Sequence, residues 1–128
     1  MKKRVEVFLF IFSTICYASI SNAAEVEISH PKDGSSVKPK FLNLHVVASN
    51  FATGTELVLK VEVINVESGD IVYEDFEPIG TIGRNSGAHI NAKIRDSLPS
   101  ESVLRVEVEL IESAGVRHSA DPIVINTK

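Results

Sequence analysis

The segment Leu104–Leu110 alternates apolar and charged residues without a break, and this pattern constrains the fold more than any other in the chain. Alternate side chains of a β-strand point to opposite faces of its sheet. One face then carries four apolar residues and the other carries three charged ones: Leu104, Val106, Val108 and Leu110 against Arg105, Glu107 and Glu109. A helix would distribute the apolar residues around its axis. The segment is therefore predicted to be a strand of an antiparallel sheet whose apolar face packs on a second layer.

Six other segments have strand patterns and are separated by turn residues. They are Glu25–Ser29, Phe41–Ala48, Glu56–Val66, Ile71–Phe76, Ala88–Arg95 and Ile123–Asn126. On the second and third of these, the side chains predicted to face inward are Leu42, Leu44, Val46 and Ala48, and Leu57, Leu59, Val61 and Val63. Ser68–Asp70 is predicted to close a hairpin, and Pro78–Gly87 is predicted to be a loop. Seven short strands at this spacing predict an all-β, seven-stranded antiparallel sandwich of immunoglobulin-like type, in which the third and sixth strands are neighbours.

The first residues have the composition of an export signal. Lys2, Lys3 and Arg4 are followed by an apolar run, Val7–Ile15, which only Ser13 and Thr14 interrupt. Small residues then lead to a predicted cleavage site after Ala23, with Ala24 as the alternative. The run is shorter than the roughly 20 residues of a membrane-spanning helix. An uncleaved anchor and a lipoprotein at Cys16 remain as alternatives, although Ile15 does not fit a lipobox. We therefore predict a signal peptide, residues 1–23, and one periplasmic or secreted domain, residues 24–128.

Cleavage would change the composition of the mature chain. Cys16 is the sole cysteine, so without the leader no disulfide is possible and stability depends on burial. The remaining chain of about 105 residues is long enough for one core. The leader carries three basic residues and one acidic residue, so the net charge falls from −4 to −6 when it is removed. Nucleic acids and anionic lipids select basic surfaces, and both are therefore disfavoured as partners.

The order of several short motifs resembles a known family. Val26–Ser29 leads into Pro31–Val37, and the later matches are Ala48–Phe51, Ser68–Val72, Ala88–Ala92 before Leu98–Pro99, and Leu104–Val106 followed by Ser113–Gly115. This arrangement is similar to the bacterial immunoglobulin-like envelope domain named from spore germination proteins, the Gmad2-type domain. The chain lacks the family's Pro-x-x-Val-x-Gly in the second strand, where Pro39 and Phe41–Leu44 stand. The resemblance implies a sandwich fold, a cell-envelope setting and a binding or accessory role, and it implies no catalytic residues.

The four histidines are the candidate metal ligands. His30, His45, His89 and His118 are far apart in the sequence and have no short metal-binding spacing. His45 and His89 have the parity of outward positions, whereas His30 and His118 lie in or beside predicted turns. Extracytoplasmic copper carriers have a similar sandwich, but they carry a histidine at the mature N-terminus and an Asp-Gly-His motif that is absent here. We therefore assign no metal and no cofactor, and we keep periplasmic copper handling by His30, His118 or their neighbours as an alternative.

The glycine-rich segment Gly80–Gly87 superficially resembles a phosphate-binding loop. It lacks the Gly-Lys-Ser/Thr ending and the following helix that such a loop requires. Loops of sandwiches often carry binding residues. Arg84 and Asn85 are therefore the predicted partner-binding residues, and an inhibitor of an extracytoplasmic hydrolase that presents this loop is a further alternative.

Three carboxylates are predicted to approach one another on neighbouring strands. Glu62, Glu107 and Glu109 have the parity of the solvent face, where Lys60 and Arg105 would form ion pairs with them. Acid–base chemistry needs carboxylates whose pKa values are split by burial or crowding. The chain also has no Gly-x-Ser-x-Gly motif and no base that could activate a hydroxyl. We therefore predict no catalytic residues and no enzymatic activity.

Some apolar residues also have the parity of the solvent face: Val47, Val58, Ile64, Val103 and Ile111. Where several of these fall on neighbouring strands, they would form a docking patch for another protein. The sequence therefore predicts an exported, non-enzymatic, immunoglobulin-like module that acts through protein–protein contact in the bacterial envelope. The partner and the oligomeric state are not defined by the sequence.

Overall fold

The computed structural model describes residues 23–83 and 87–128, and every regular element in this part of the chain is a β-strand. The nine strands are β1 Glu25–His30, β2 Ser36–Val37, β3 Asn43–Ser49, β4 Glu56–Asn65, β5 Ile71–Thr81, β6 Ala88–Lys93, β7 Val103–Glu112, β8 Arg117–Ser119 and β9 Ile123–Thr127. The predicted signal peptide lies, except for Ala23, outside the described residues and stays a prediction. In the described ranges, no helix is long and apolar enough to cross a membrane.

The strands form a sandwich of two sheets. The small sheet has the order β1–β3–β6, and the large sheet has the order β2–β9–β7–β4–β5, with β8 paired to β7. The predicted neighbours β4 and β7 are paired, and β4 and β5 form the predicted hairpin. The predicted count of seven strands omits β2 and β8. Both are too short to show an alternating pattern, and they form because β9 and β7 offer them hydrogen-bonding partners.

One strand pair differs in direction from the antiparallel prediction. β2 pairs with β9 in parallel, with Ser36 opposite Asn126 and Val37 opposite Thr127. The preceding turn helps to hold this arrangement, because the Gly34 N–H donates to the Val124 carbonyl at 2.6 Å. The Val124 N–H in turn donates to the Asp33 carboxylate at 2.7 Å. These contacts link residues far apart in the chain, so local sequence patterns do not predict them.

The apolar faces of both sheets meet in one core. All the residues predicted to face inward on β4, on β7 and on the predicted strand Phe41–Ala48 are buried, which confirms the period-two interpretation: Leu42, Leu44, Val46, Ala48, Leu57, Leu59, Val61, Val63, Leu104, Val106, Val108 and Leu110. Leu44 in the small sheet and Leu59 in the large sheet are among the fully buried side chains. Burial of this kind contributes about 1.5–3 kcal/mol for each large aliphatic side chain. Burial of these side chains is therefore the main source of stability expected for the sandwich.

Strand β5 is longer than predicted. The sequence interpretation ended it at Phe76 and placed a loop over Pro78–Gly87, but the strand continues to Thr81, which pairs with Glu56. Proline and glycine disfavour the interior of a sheet, but an edge strand tolerates them when the proline nitrogen faces away from its neighbour. β5 is such an edge strand. The loop prediction is therefore wrong for residues 78–81.

Two other predicted boundaries are corrected. β3 begins at Asn43 and not at Phe41, whose φ of 60° and 88% exposure place it outside the sheet. β6 ends at Lys93 and not at Arg95. Ile94 is nevertheless buried, and its N–H donates to the Leu42 carbonyl at 2.9 Å. The alternating pattern thus continues beyond the regular pairing at this end of the small sheet.

Candidate functional site

The outer face of the large sheet is organised in rows that cross β5, β4 and β7. The strand register aligns Pro78, Val58 and Ile111 in one row, which we call the apolar row. Two residues along each strand, Phe76, Lys60 and Glu109 form a middle row. Two residues further, Glu74, Glu62 and Glu107 form a third row, which we call the carboxylate row. Each row therefore has its own chemical character.

The apolar row forms a shallow depression on the solvent side. Its volume is about 240 Å³, and Leu57, Val58, Pro78 and Ile111 contribute to its wall. Phe76 lies beside the row with 55% of its surface exposed. A contiguous exposed apolar surface is a common feature of protein-binding sites. Val58 and Ile111 are thus the two residues of the predicted docking patch that the register brings into direct contact.

The other residues of that predicted patch lie elsewhere. Ile64 is on the same outer face, but it is opposite Arg105 and beyond the carboxylate row. Val103 is at the start of β7, and its carbonyl accepts a hydrogen bond from Val66 N–H at 3.0 Å. Val47 lies on the small sheet, opposite His89. The patch is therefore smaller than parity alone predicted.

The carboxylate row places like charges directly opposite one another. Glu62 has Glu74 as its partner on one side and Glu107 on the other. Such an arrangement destabilises a sheet unless cations compensate. Glu74 lies 4.0 Å from Lys60, and Glu107 lies 2.7 Å from Arg105. Within the described ranges, Glu62 forms no ion pair, so the centre of the row keeps an uncompensated negative charge.

The predicted carboxylate cluster is present. Glu62, Glu107 and Glu109 line a cleft of about 220 Å³ between the strands and the segment that follows β8. Glu109 lies 2.6 Å from Arg117 and accepts a hydrogen bond from the Ser119 hydroxyl at 3.2 Å. Among the described residues, the cross-strand ion pairs predicted for Lys60 and Arg105 with these carboxylates do not form. Glu107 pairs with Arg105 of its own strand, Glu109 pairs with Arg117, and Lys60 pairs with Glu74. The cleft is suited to electrostatic recognition of a positive group.

Beneath this face, Tyr73 anchors β5 to the core. Its side chain is buried, and its hydroxyl donates to the Asp75 carboxylate at 3.4 Å. Burial raises the pKa of the Tyr73 phenol above its usual value, and the nearby negative charge of Asp75 raises the pKa further. Tyr73 therefore stays neutral at physiological pH and acts as an anchor for the edge strand.

Two of the four histidines are brought together. His45 and His89 lie on the outer face of the small sheet with their ring centroids 5.6 Å apart, and His30 is the cross-strand partner of His45. His118 lies on β8, where its Nε2 is 2.6 Å from a Glu112 carboxylate oxygen. Its ring contacts Phe51 edge-on. In residues 23–83 and 87–128, no three His, Cys, Asp or Glu side chains form a group that could hold a metal ion.

The predicted partner-binding residues Arg84 and Asn85 lie outside the described residues. The flanking glycines are described. The Gly83 carbonyl accepts a hydrogen bond from the Thr53 hydroxyl at 3.2 Å. A Cβ atom at Gly87 would lie 2.6 Å from the Ala48 carbonyl oxygen. The role of Arg84 and Asn85 stays a prediction.

The sequence interpretation missed the surface formed by β5. Phe76 was assigned to the end of a strand and Pro78 to a loop, so neither was considered a surface partner of Val58. Little in the sequence signals this surface, because Asp75 and Glu77 occupy the inward parity of Tyr73 and Ile79 and break the apolar alternation. Pro78 and Gly80 conceal it further, since both residues usually end a strand.

Comparison with known proteins supplies similarity of fold alone. No family model matches the chain, and no curated protein matches it. An engineered protein of known crystal structure is similar with a TM-score of 0.53 and 16% identity over 83% of this chain. The chain spans 20% of the length of that protein. A fibronectin(III)-like module of Clostridium thermocellum CbhA gives a TM-score of 0.45 and 18% identity, over 80% of this chain and 94% of the module. Macromomycin is similar with a TM-score of 0.48 and 14% identity, over 83% of this chain and 100% of macromomycin.

Proposed function

We propose that the sandwich is of the immunoglobulin-like type. The strand order supports this assignment, because an immunoglobulin-like domain also places its first, second and fifth strands in one sheet and its third, sixth and seventh in the other. The fourth strand differs, since in the constant-type immunoglobulin domain it belongs to the sheet of the first, second and fifth. Among the longer strands, the first, second and fifth (β1, β3 and β6) share the small sheet. The third, sixth and seventh (β4, β7 and β9) share the large sheet, and the fourth, β5, lies at its edge. Membership of the Gmad2-type family remains a proposal, which rests on the short sequence motifs described above.

Within this fold, we infer that the protein is an exported, non-enzymatic binding module that contacts another protein in the bacterial envelope or outside the cell. The basic and apolar leader at Lys2–Ile15 supports export. The observation that carries the binding role is the apolar row, which lies beside the exposed ring of Phe76. Apolar surface of this kind favours association, because its burial removes it from water.

Site-specific photocrosslinking tests the binding role. A photoreactive residue at position 76 is expected to crosslink a protein partner in living cells. The matched control has the same residue at Asn91, an exposed position on the small sheet. We expect a discrete crosslinked product from position 76 and none from position 91. Equal products from both positions, or none from position 76, would contradict the assignment of this face.

A second candidate function is metal handling, which the proximity of His45 and His89 favours. Two imidazoles at this distance supply two of the ligands that Zn²⁺ or Cu²⁺ prefers, and water would complete the coordination. Calorimetry with each metal alone tests this function. Stoichiometric binding that is lost in His45→Ala and His89→Ala, but kept in His118→Ala, would support metal handling over the binding module. Unchanged binding in all three variants would exclude a role for this pair.

A further inference from the structure

One contact shows towards which neighbouring strand the backbone groups of each residue in the large sheet point. The Val108 carbonyl accepts a hydrogen bond from Ala120 N–H at 3.0 Å, so Val108 faces β8 and not β4. The N–H and C=O groups of one residue in an antiparallel strand point to the same side, and successive residues alternate. Glu107 and Glu109 therefore face β4, and Lys60 and Glu62, their partners, face β7.

The same alternation defines the outer edge of β5. Since Lys60 and Glu62 face β7, the intervening Val61 faces β5 and is bonded to Asp75. Glu74 and Phe76, on either side of Asp75, consequently direct both backbone groups away from the sheet. Pro78 has the same orientation, so its missing N–H costs the sheet no hydrogen bond. In the described part of the chain, no strand pairs with this edge.

An open edge of this kind accepts an added strand, because its N–H and C=O groups are already arranged in a ladder. The accessible stretch is bounded on both sides. The register shifts at Val72 and Ile79 form β-bulges that interrupt regular pairing. Pro78 also removes one donor. A partner strand would therefore pair along Tyr73–Glu77, with Glu74 and Phe76 supplying the hydrogen bonds.

The charge of β5 selects the partner. The strand contains Glu74, Asp75 and Glu77 and no basic residue. A paired strand places its side chains directly opposite these acids, where opposite charges stabilise the pairing and like charges oppose it. A second copy of this chain is a poor occupant for the same reason. If two copies paired β5 with β5 about a two-fold axis at Glu74, Asp75 or Glu77, that acid would lie opposite the same acid of the other copy. If the axis lay at Phe76, Asp75 of each copy would lie opposite Glu77 of the other.

We propose that the β5 edge binds an extended, basic segment of another protein by strand addition. The proposal rests on the proposed binding function, and it specifies the partner of the same surface. Lysine or arginine side chains on one face of the added strand lie opposite Asp75 and Glu77. Apolar side chains on its outward face extend the apolar surface that begins at Phe76. The carboxylate row continues the negative potential across the adjoining face.

The test uses an acetylated, amidated peptide of alternating lysine and valine and, as its control, the same peptide with glutamate in place of lysine. Amide hydrogen exchange in the protein is followed by NMR. We expect the lysine peptide to slow exchange at Glu74 and Phe76, whose N–H groups face outward. Exchange at Asp75 should change little, since its N–H is already bonded to β4. The glutamate peptide is expected to cause no protection.

Charge-reversal variants separate strand addition from general attraction. Asp75→Lys with Glu77→Lys is expected to weaken binding of the lysine peptide by at least about tenfold. The matched control, Glu25→Lys with Glu27→Lys on the small sheet, changes net charge equally and is expected to leave binding near its original strength. Each variant is first checked for a folded NMR spectrum. Equal weakening by both variants, or binding without protection at Glu74 and Phe76, would overturn strand addition.

The two proposals fail separately. If the photoreactive residue at position 76 crosslinks a partner but the Asp75→Lys, Glu77→Lys variant captures that partner equally well, strand addition by a basic segment is wrong and the binding face remains. If position 76 gives no crosslink while the lysine peptide protects Glu74 and Phe76, the β5 edge can add a strand, but the proposed binding of a protein partner in cells is wrong.

Discussion

The outer faces of the two sheets differ, although their inner faces are built alike. The small sheet presents Asn43, His45, Asn91 and Lys93 to solvent, with Val47 as an isolated apolar residue. The large sheet presents an apolar row beside a row of three glutamates. Core packing cannot explain this difference, because neither outer face contributes to the core. The uncompensated charge at the centre of that row also costs stability. This difference supports the proposal that the large sheet binds a partner.

The largest expected effect tests whether the two inner faces are equivalent. Leu44→Ala in the small sheet and Leu59→Ala in the large sheet each remove a fully buried side chain. Each substitution is expected to lower the free energy of unfolding by about 2–5 kcal/mol, since both leave a cavity. Urea denaturation measures the effect. A loss confined to Leu59→Ala would mean that the small sheet is not an equal half of the core.

A smaller effect is expected from glycine substitutions next to two edge strands, β6 of the small sheet and β5 of the large sheet. Gly87→Ala, just before β6, would place a Cβ atom 2.6 Å from the Ala48 carbonyl oxygen, so the backbone must shift. We expect a loss of about 1–3 kcal/mol in the free energy of unfolding. Gly83→Ala, just after β5, is the matched control, because a Cβ there meets no atom within 4 Å. Equal losses for both substitutions would contradict the close approach at Gly87.

The carboxylate row provides a test with the opposite sign. Glu62→Gln is expected to raise the free energy of unfolding by about 0.2–1 kcal/mol, because it removes the central charge between Glu74 and Glu107. Glu27→Gln on the small sheet is the control and is expected to have less effect, since its cross-strand partner is Val47. The gain should decrease in concentrated salt. A loss of stability in Glu62→Gln would show that the row is structural.

The smallest effect is a pH dependence that becomes visible only above about pH 10, and it concerns Tyr73 on β5. Its pKa is raised in the folded state, first by burial and then by Asp75. The resulting stabilisation is complete below the unfolded-state pKa of about 10 and is lost as the pH rises through the higher folded-state pKa. The urea midpoint is therefore expected to decrease more steeply above about pH 10 in the original protein than in Tyr73→Phe. Parallel pH profiles of the two proteins would contradict this role of Tyr73.

The sequence predicted the long strands because each repeats the same two-residue period. Leu104–Leu110 and the inward residues of β4 are buried as expected. It did not predict β2 and β8, which are too short to show a period and depend on their neighbours for pairing. It also ended β5 too early, since Pro78 resembles a strand terminator until its position at an edge is known.

The candidate site was predicted in part. The carboxylates Glu62, Glu107 and Glu109 were expected to meet, and they do, because the β4–β7 pairing followed from the strand order. The meeting of Val58 with Pro78 was not expected, since it depends on the β-bulge at Ile79. The proximity of His45 and His89 was equally unforeseen, because diagonal contacts depend on register.

The sequence by itself determined that this chain forms strands with one apolar face and that their burial builds a sandwich. These properties are local, because hydrophobic period sets which side chains leave water. Only the tertiary structure decided the register, the edge position of β5 and the direction in which its backbone groups point. Those properties depend on hydrogen bonds between segments far apart in the chain, and they convert scattered surface residues into an acidic, open edge.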